Sequence, residues 1–301
     1  VSGFTRRSPS DGRTPKAGAR LAALTIALAC ATGCATIANY DDPAGPIITG
    51  PLIAAGRPTS SDDLRIVTFN LKFGEHIDRA SDLLSRPGPL SGADLLVVEE
   101  MDETGTETLA RTLGLNYVYV PATVHRSTRK DFGVALLSPW VLEDTRKILL
   151  PHLHRFRKMR RAAIVATVHT RAGTVRVYAV HFETPFGASS GVRRDQARTI
   201  AADAAQTMDP VVVAGDFNGT AGARELTKAG FTWLTKDVHN TLGLLDLDHI
   251  LVRGLCPTGP PTAAKAPDLT NASDHSPVWA VVRPCPAVVS YAGDRTPRVS
   301  R

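Results

Sequence analysis

The stretch Val211-Val212-Val213-Ala214-Gly215-Asp216-Phe217-Asn218 closes an unbroken apolar run with a carboxylate and an amide two positions apart. Successive side chains of a strand alternate between its faces, so Asp216 and Asn218 project to the same side. A short apolar run ended by Gly predicts a buried strand, and the polar pair stands where that strand emerges from the core. An Asp and an Asn after a strand also suit a turn, so the pair takes its meaning from what the other strands carry at their ends.

Outward from this stretch, similar apolar runs occupy 64–69, 94–98, 117–120, 134–137, 162–168, 174–180, 248–252 and 278–282. Nine runs in all are too many for one ordinary sheet, which predicts two. Helical patterns fall at 77–84, 106–113, 192–208 and 221–229. The runs at 162–168 and 174–180, joined by Arg171-Ala172-Gly173, predict a hairpin. This mixture fits an α/β fold better than a purely parallel one: a four-layer α/β sandwich of two packed mixed sheets with helices outside.

The strand ends repeat one theme. Asn70 closes the first run, Glu99 and Glu100 the second, His181 the hairpin strand, and Asp216 with Asn218 the seventh; Asp248 and His249 open the eighth, and Ser273-Asp274-His275-Ser276-Pro277 precedes the last. Ends of strands gather on one edge of a sandwich, so side chains two hundred residues apart in sequence can converge. Each also has a plainer explanation: a turn-forming Asn, an acidic pair opening a helix, an Asx turn before Pro277, a histidine satisfied in the core.

In this order, Thr68-Phe69-Asn70, Val98-Glu99-Glu100, Gly133-Val134-Ala135-Leu136-Leu137-Ser138, Val180-His181-Phe182-Glu183-Thr184, Gly215-Asp216-Phe217-Asn218, Asp248-His249-Ile250 and Ser273-Asp274-His275-Ser276-Pro277 resemble the endonuclease/exonuclease/phosphatase superfamily of metal-dependent phosphoesterases. The resemblance runs from about Arg65 to about Val282 and implies a deoxyribonuclease-like fold. It implies that Glu100 binds a divalent metal, with Asn70 and Asp274 completing or supporting its shell. Oxygen ligands point to Mg2+, with Mn2+ or Ca2+ as alternatives. Asp216 would orient or deprotonate the attacking water, Asn218 hold the phosphate or the nucleophile, His275 carry positive charge while paired with Asp248, and His181 donate to the same phosphate. Whether Asp216 or His275 takes the proton is open at this stage. Glu99 departs from the family, which usually has Gln there, and is expected to add negative charge beside the metal. His249 is assigned to packing; His76, His125, His152, His154, His169 and His239 receive no catalytic role.

Of 35 basic and 29 acidic residues, five and one lie in the first 34 positions, leaving 30 and 28. So small a balance gives no sign of a polyanion partner for the domain as a whole. One local exception is the run Arg155, Arg157, Lys158, Arg160 and Arg161. As a solvated face it needs no ligand; as a functional patch, Arg160 and Arg161 would meet substrate, either a nucleic-acid backbone or an anionic lipid head group.

Residues 1–34 combine a basic opening, the apolar run 21–30 and small residues through Ala35, the pattern of an export signal. Ala31-Thr32-Gly33-Cys34 resembles a bacterial lipobox, which would anchor the chain to the cell membrane through Cys34; plain secretion is the alternative. Residues 35–62 predict a flexible tether, 63–285 the domain and 286–301 a C-terminal tail. Cys256 and Cys285 are expected to pair in an exported chain, and no Cys/His spacing suggests a zinc site. The expected activity is phosphodiester hydrolysis by in-line attack of water, with nucleic acid as first substrate. The alternatives are a lipid head-group phosphodiesterase of sphingomyelinase type, which the 6% aromatic content and lack of an aromatic-rich hairpin disfavour, a phosphomonoesterase, and an inactive binding module. No protein partner is predicted.

Overall fold

A computed structural model describes residues 38–50, 62–171, 173–258 and 263–286. The leader with Cys34 and the tail beyond Pro286 lie outside the described residues.

The apolar runs form the centres of two sheets. The first joins β1 (Ile48–Gly50), β4 (Asn116–Val124), β5 (Asp131–Ser138), β3 (Leu95–Met101), β2 (Leu64–Asn70), β14 (Val278–Pro284) and β12 (Leu255–Pro257) in that spatial order, with β13 (Ala263–Lys265) also on β14. The second runs β10 (Thr232–Trp233), β11 (Asp248–Arg253), β9 (Val211–Asp216), β8 (Gly173–His181), β7 (Arg160–Thr170) and β6 (Leu142–Leu153). Both sheets are mixed: β2 and β3 are parallel, as are β8 and β9, and the other pairings are antiparallel.

Alternation along each strand sorts the layers. Ile66, Val97, Val118, Ile164, Val177, Val212, Ile250 and Val278 interdigitate between the sheets. The opposite faces bury Val67, Phe69, Leu96 and Val98 under α1 (Ile77–Ser85) and α2 (Glu103–Leu113), and Tyr178, Val180, Val211 and Val213 under α3 (Ser190–Ala204) and α4 (Thr220–Lys228). The expected four-layer sandwich is therefore present. The Cys256–Cys285 disulfide ties β12 to the end of β14.

Parallel pairing positions the site. The parallel strands β2 and β3 end side by side at Asn70 and Glu99, and β8 and β9 at His181 and Asp216. Antiparallel β11 begins opposite, with Asp248 paired to Asp216, and antiparallel β14 begins with Val278 opposite Thr68. Four strand ends and two strand beginnings thus carry their polar residues to the same rim.

Two sequence expectations are corrected. Strand β6 was not anticipated: it is an edge strand with mixed exposure, Pro151 and two register shifts, so it shows neither an apolar run nor clean alternation. Residues 38–50 are not a tether. Ile48–Gly50 pairs with β4, and the buried Lys147 ammonium donates to the carbonyls of Tyr40, Asp42 and Gly45 at 2.6, 3.0 and 2.9 Å. A buried amine requires acceptors, and this segment supplies them.

Candidate active site

Asp216 continues the inward face of β9 set by Val212 and Ala214, and it is buried. The preceding Gly215 is obligatory in two ways: its φ is +149°, and a Cβ there would run into the Val180 carbonyl of the neighbouring strand. Asn70 Nδ2 donates to Asp216 Oδ2 at 3.0 Å, and the Asn218 backbone N–H donates to Oδ1 at 2.7 Å. Asn218 adopts the left-handed conformation (φ +51°) and spends its amide hydrogens on the Phe182 carbonyl, 3.0 Å, and Asp216 Oδ2, 3.3 Å. In this arrangement Asn218 braces Asp216.

His181 ends β8 with its Nε2 3.5 Å from Asp216 Oδ2. Arg161 Nη1 lies 3.0 Å from both nitrogens of the His181 ring. Burial, then Arg161 and His275, hold the His181 pKa well below its ordinary value, so this imidazole is neutral. His275 Nδ1 sits 2.9 Å from Asp248 Oδ2. Burial opposes the imidazolium, but the charge and hydrogen bond of Asp248, helped by Asp216 and Glu100, outweigh it and raise the pKa to about 10. Asp216 is shifted upward to about 7 by burial and the Asp248 charge, against the pull of His275, Asn218 and Asn70.

Glu100 reaches the same rim through a break in the strand. Glu99 pairs with Val134 and Met101 with Gly133, so Glu100 is an extra residue in the ladder, with φ +59°. Strict alternation would turn it toward the helices; the bulge turns it to Asn70, whose Nδ2 lies 3.3 Å from Glu100 Oε1. Asn70 Oδ1 accepts the Lys72 N–H at 3.0 Å, so the amide turns its nitrogen toward the two carboxylates. In this orientation Asn70 clamps Glu100 and Asp216 rather than offering an oxygen to a cation. Asp274 stands exposed at the rim, near enough for its charge to raise the Glu100 pKa, although burial is the larger cause.

Glu99 corrects another expectation. It continues the inner face of β3, accepts the Thr68 hydroxyl at 2.8 Å, and is fully buried. Burial, then Asp248 and Asp216, raise its pKa well above the usual carboxyl value, so this position disfavours the added negative charge. Arg160 is corrected too. Its Nε donates to Asp41 at 2.7 Å, away from the cluster, whereas Arg161 is buried within it. His249 packs between Trp233 and Phe217 as expected, with burial lowering its pKa to about 4.

Sequence inspection assigned no role to Glu183, whose buried carboxylate lies 3.6 Å from the Arg161 guanidinium. The Gln196 side chain accepts the Glu183 N–H and Arg193 donates to the Glu183 carbonyl, fixing the segment after His181 from α3. An acid two residues past His181 was the only signal in sequence.

Glu100, Asp216, Asp248 and Asp274 face two cations, His275 and Arg161. A partly buried, oxygen-rich set with surplus negative charge fits a hard divalent cation. Asp216, Asp248 and His275 also offer ligand atoms within 4.8 Å of one another. His275, however, is protonated and engaged by Asp248, and an imidazolium does not ligate.

The family model described as the Endonuclease/Exonuclease/phosphatase family matches residues 67–275. No curated protein matches the sequence. Solved structures with this fold include an endonuclease/exonuclease/phosphatase from Beutenbergia cavernae, at 17% identity and TM-score 0.57 over 74% of this chain and 72% of that one. Humanized D. rerio TDP2 is similar at 16% identity and TM-score 0.59, over 74% of this chain and all of the other. Sphingomyelinase C from Streptomyces griseocarneus is similar at 17% identity and TM-score 0.54, over 73% and 99%.

Proposed function

Because the chain belongs to the endonuclease/exonuclease/phosphatase family, we propose that it is an exported, Mg2+-dependent phosphodiesterase that cleaves nucleic acid by in-line attack of water. The observation that carries this is the convergence of Asn70, Glu100, Arg161, His181, Asp216 and the Asp248–His275 pair on one rim. Glu100, with Asp274 beside it, would hold the metal, which when bound supplies positive charge to a phosphoryl oxygen. Asp216 is the proton acceptor: its pKa of about 7 suits a base at neutral pH, whereas His275 is already protonated. His275, oriented through Nδ1 by Asp248, is left with Nε2–H to donate to the phosphoryl group. Neutral His181 and the Arg161 guanidinium hold the non-bridging oxygens from the other side. The basic turn Arg155, Arg157 and Lys158, exposed beside the site, favours a polyanionic substrate.

The Cys256–Cys285 disulfide supports an oxidising destination. Mass spectrometry of the mature N-terminus tests the lipid anchor: an unmodified terminus beyond Cys34 rules it out. Plasmid DNA, RNA, sphingomyelin and a chromogenic phosphate diester, each with Mg2+ and with chelator, test the activity. Asp216→Ala should lower the chelator-sensitive rate by about 10²- to 10⁴-fold, the range for a general base. A near-normal rate would remove Asp216 from the chemistry, and no chelator-sensitive turnover on any substrate would sink the proposal.

A further inference from the structure

Next to the phosphoryl site, and continuous with it through Glu100 and Arg161, lies a cavity of about 530 Å³. One wall is a chain of rings leading away from His181: His181 to Phe132, 5.7 Å between centroids, then Phe132 to His125, 5.6 Å, and His125 to Phe73, 4.5 Å with the planes 33° apart. Arg161 lies over Phe132, its guanidinium carbon 5.3 Å from the ring centre. Phe156, 72% exposed, and Phe186, 88% exposed, also line the cavity.

Those two phenylalanines sit on a fixed support. His154 Nδ1 accepts the backbone N–H groups of Phe156 and Arg157 at 3.2 and 3.0 Å, and the Arg155 N–H donates to the Gly187 carbonyl at 2.9 Å. Gly187 passes so close to the His154 ring that any Cβ would collide with it. The turn between β6 and β7 and the segment carrying Phe186 are thereby locked together, with two large rings left facing water.

We infer that this cavity binds an unpaired nucleobase next to the scissile phosphate, so that the enzyme acts on single-stranded or locally opened nucleic acid. The inference rests on the phosphodiesterase proposal and names its substrate class. A cavity lined by several rings suits a flat heteroaromatic group, and aromatic side chains bind bases of any sequence by stacking. Arg157 and Arg161 complement the phosphates flanking that base. An acyl chain would match aliphatic walls, whereas this lining consists largely of rings and charged groups. A base within a duplex has both faces covered by its neighbours and cannot enter.

The test uses the full chain in chelator, which stops cleavage, and the fluorescence anisotropy of three labelled probes of equal length: oligothymidylate, the same strand with abasic spacers throughout, and a duplex. Oligothymidylate should bind about tenfold or more tighter than the abasic strand, the scale of one stacked base. Phe156→Ala and Phe186→Ala, both at exposed positions, should erase that advantage while leaving duplex and abasic binding unchanged. Equal affinity for the thymidylate and abasic strands, or equal losses on all three probes, overturns the inference. Phe-dependent binding to phosphatidylglycerol vesicles without base dependence also overturns it and makes the mouth a membrane-contacting surface. Mg2+-dependent turnover of bis(4-nitrophenyl) phosphate by the unsubstituted protein reads the parent proposal separately. Turnover without base dependence removes the pocket assignment alone.

Discussion

Asp248→Asn should turn His275 from a standing cation into a weak base. The interval between 6.5 and about 10 for His275 corresponds to about 5 kcal/mol in favour of the imidazolium, and Asp248 is the largest source of that bias. Burial, which works against the charge, stays in place in the variant. The His275 pKa should therefore fall to its ordinary value of about 6.5 or below, leaving at most about 3% of molecules charged at about pH 8. If the charge stabilises the transition state, kcat/KM at that pH drops by at least about 30-fold, before any loss of ring orientation is counted. The unsubstituted enzyme should gain activity as Asp216 loses its proton near pH 7 and lose it as His275 deprotonates near pH 10. Metal binding at the neighbouring Glu100 would move the first limb downward. In the variant the upper limb moves to the acid side of neutrality. The assay is kcat/KM for bis(4-nitrophenyl) phosphate across this range at saturating Mg2+, with the His275 Cε1 proton followed by NMR. An upper limb still near pH 10 in Asp248→Asn would show that the pair does not set the charge state.

Three further outcomes are expected. Glu100→Gln should raise the Mg2+ concentration giving half-maximal activity, with direct titration of metal binding shifting in parallel; an unchanged midpoint would take Glu100 out of the cation site. Above about pH 7, where the buried neutral histidines no longer titrate, the metal-free protein should lose stability as pH rises, because Asp216 and His275 bind their protons more tightly folded than unfolded. Their contribution is complete below about pH 4 for Asp216 and below about pH 6.5 for His275, and is lost through about pH 7 and about pH 10 respectively; thermal melts at several pH values, without and with Mg2+, would show the slope and its flattening by metal. Gly215→Ala should destabilise by roughly 1–3 kcal/mol or more in chemical denaturation, since β8 and β9 must part to admit the methyl group, and should cost activity beyond the unfolded fraction by displacing Asp216.

The apolar runs were readable because a strand buried on both faces leaves no room for polar residues, and eight of the nine predicted runs lie almost wholly within observed strands of the sandwich centre, the other (94–98) overrunning β3 only at Asp94. The helices α1 and α4 also fall within a residue of their predicted limits. Edge elements were not readable: β6 and β1 owe their strand conformation to partners on one side and to the buried Lys147, neither of which leaves a local pattern. Among site residues, Asp216, His181, Asp248 and His275 announced themselves as polar interruptions at strand ends. Phe73, His125, Phe132, Phe156 and Glu183 did not, because rings and acids in loops, or at the start of a strand as Phe132 is, look alike until the chain is folded.

By itself, the sequence determined the class of fold and the set of polar groups at its rim, since period-2 burial and strand termination are properties of contiguous residues. Only the tertiary structure decided what each group is. Burial beside like charge raises the Glu99 pKa well above the usual carboxyl value and lifts Asp216 to about 7, a bulge swings Glu100 toward Asn70, and Asn218 closes on the Phe182 carbonyl. Desolvation and Coulomb interaction depend on distances between segments remote in the chain, and those distances exist only once the two sheets have packed.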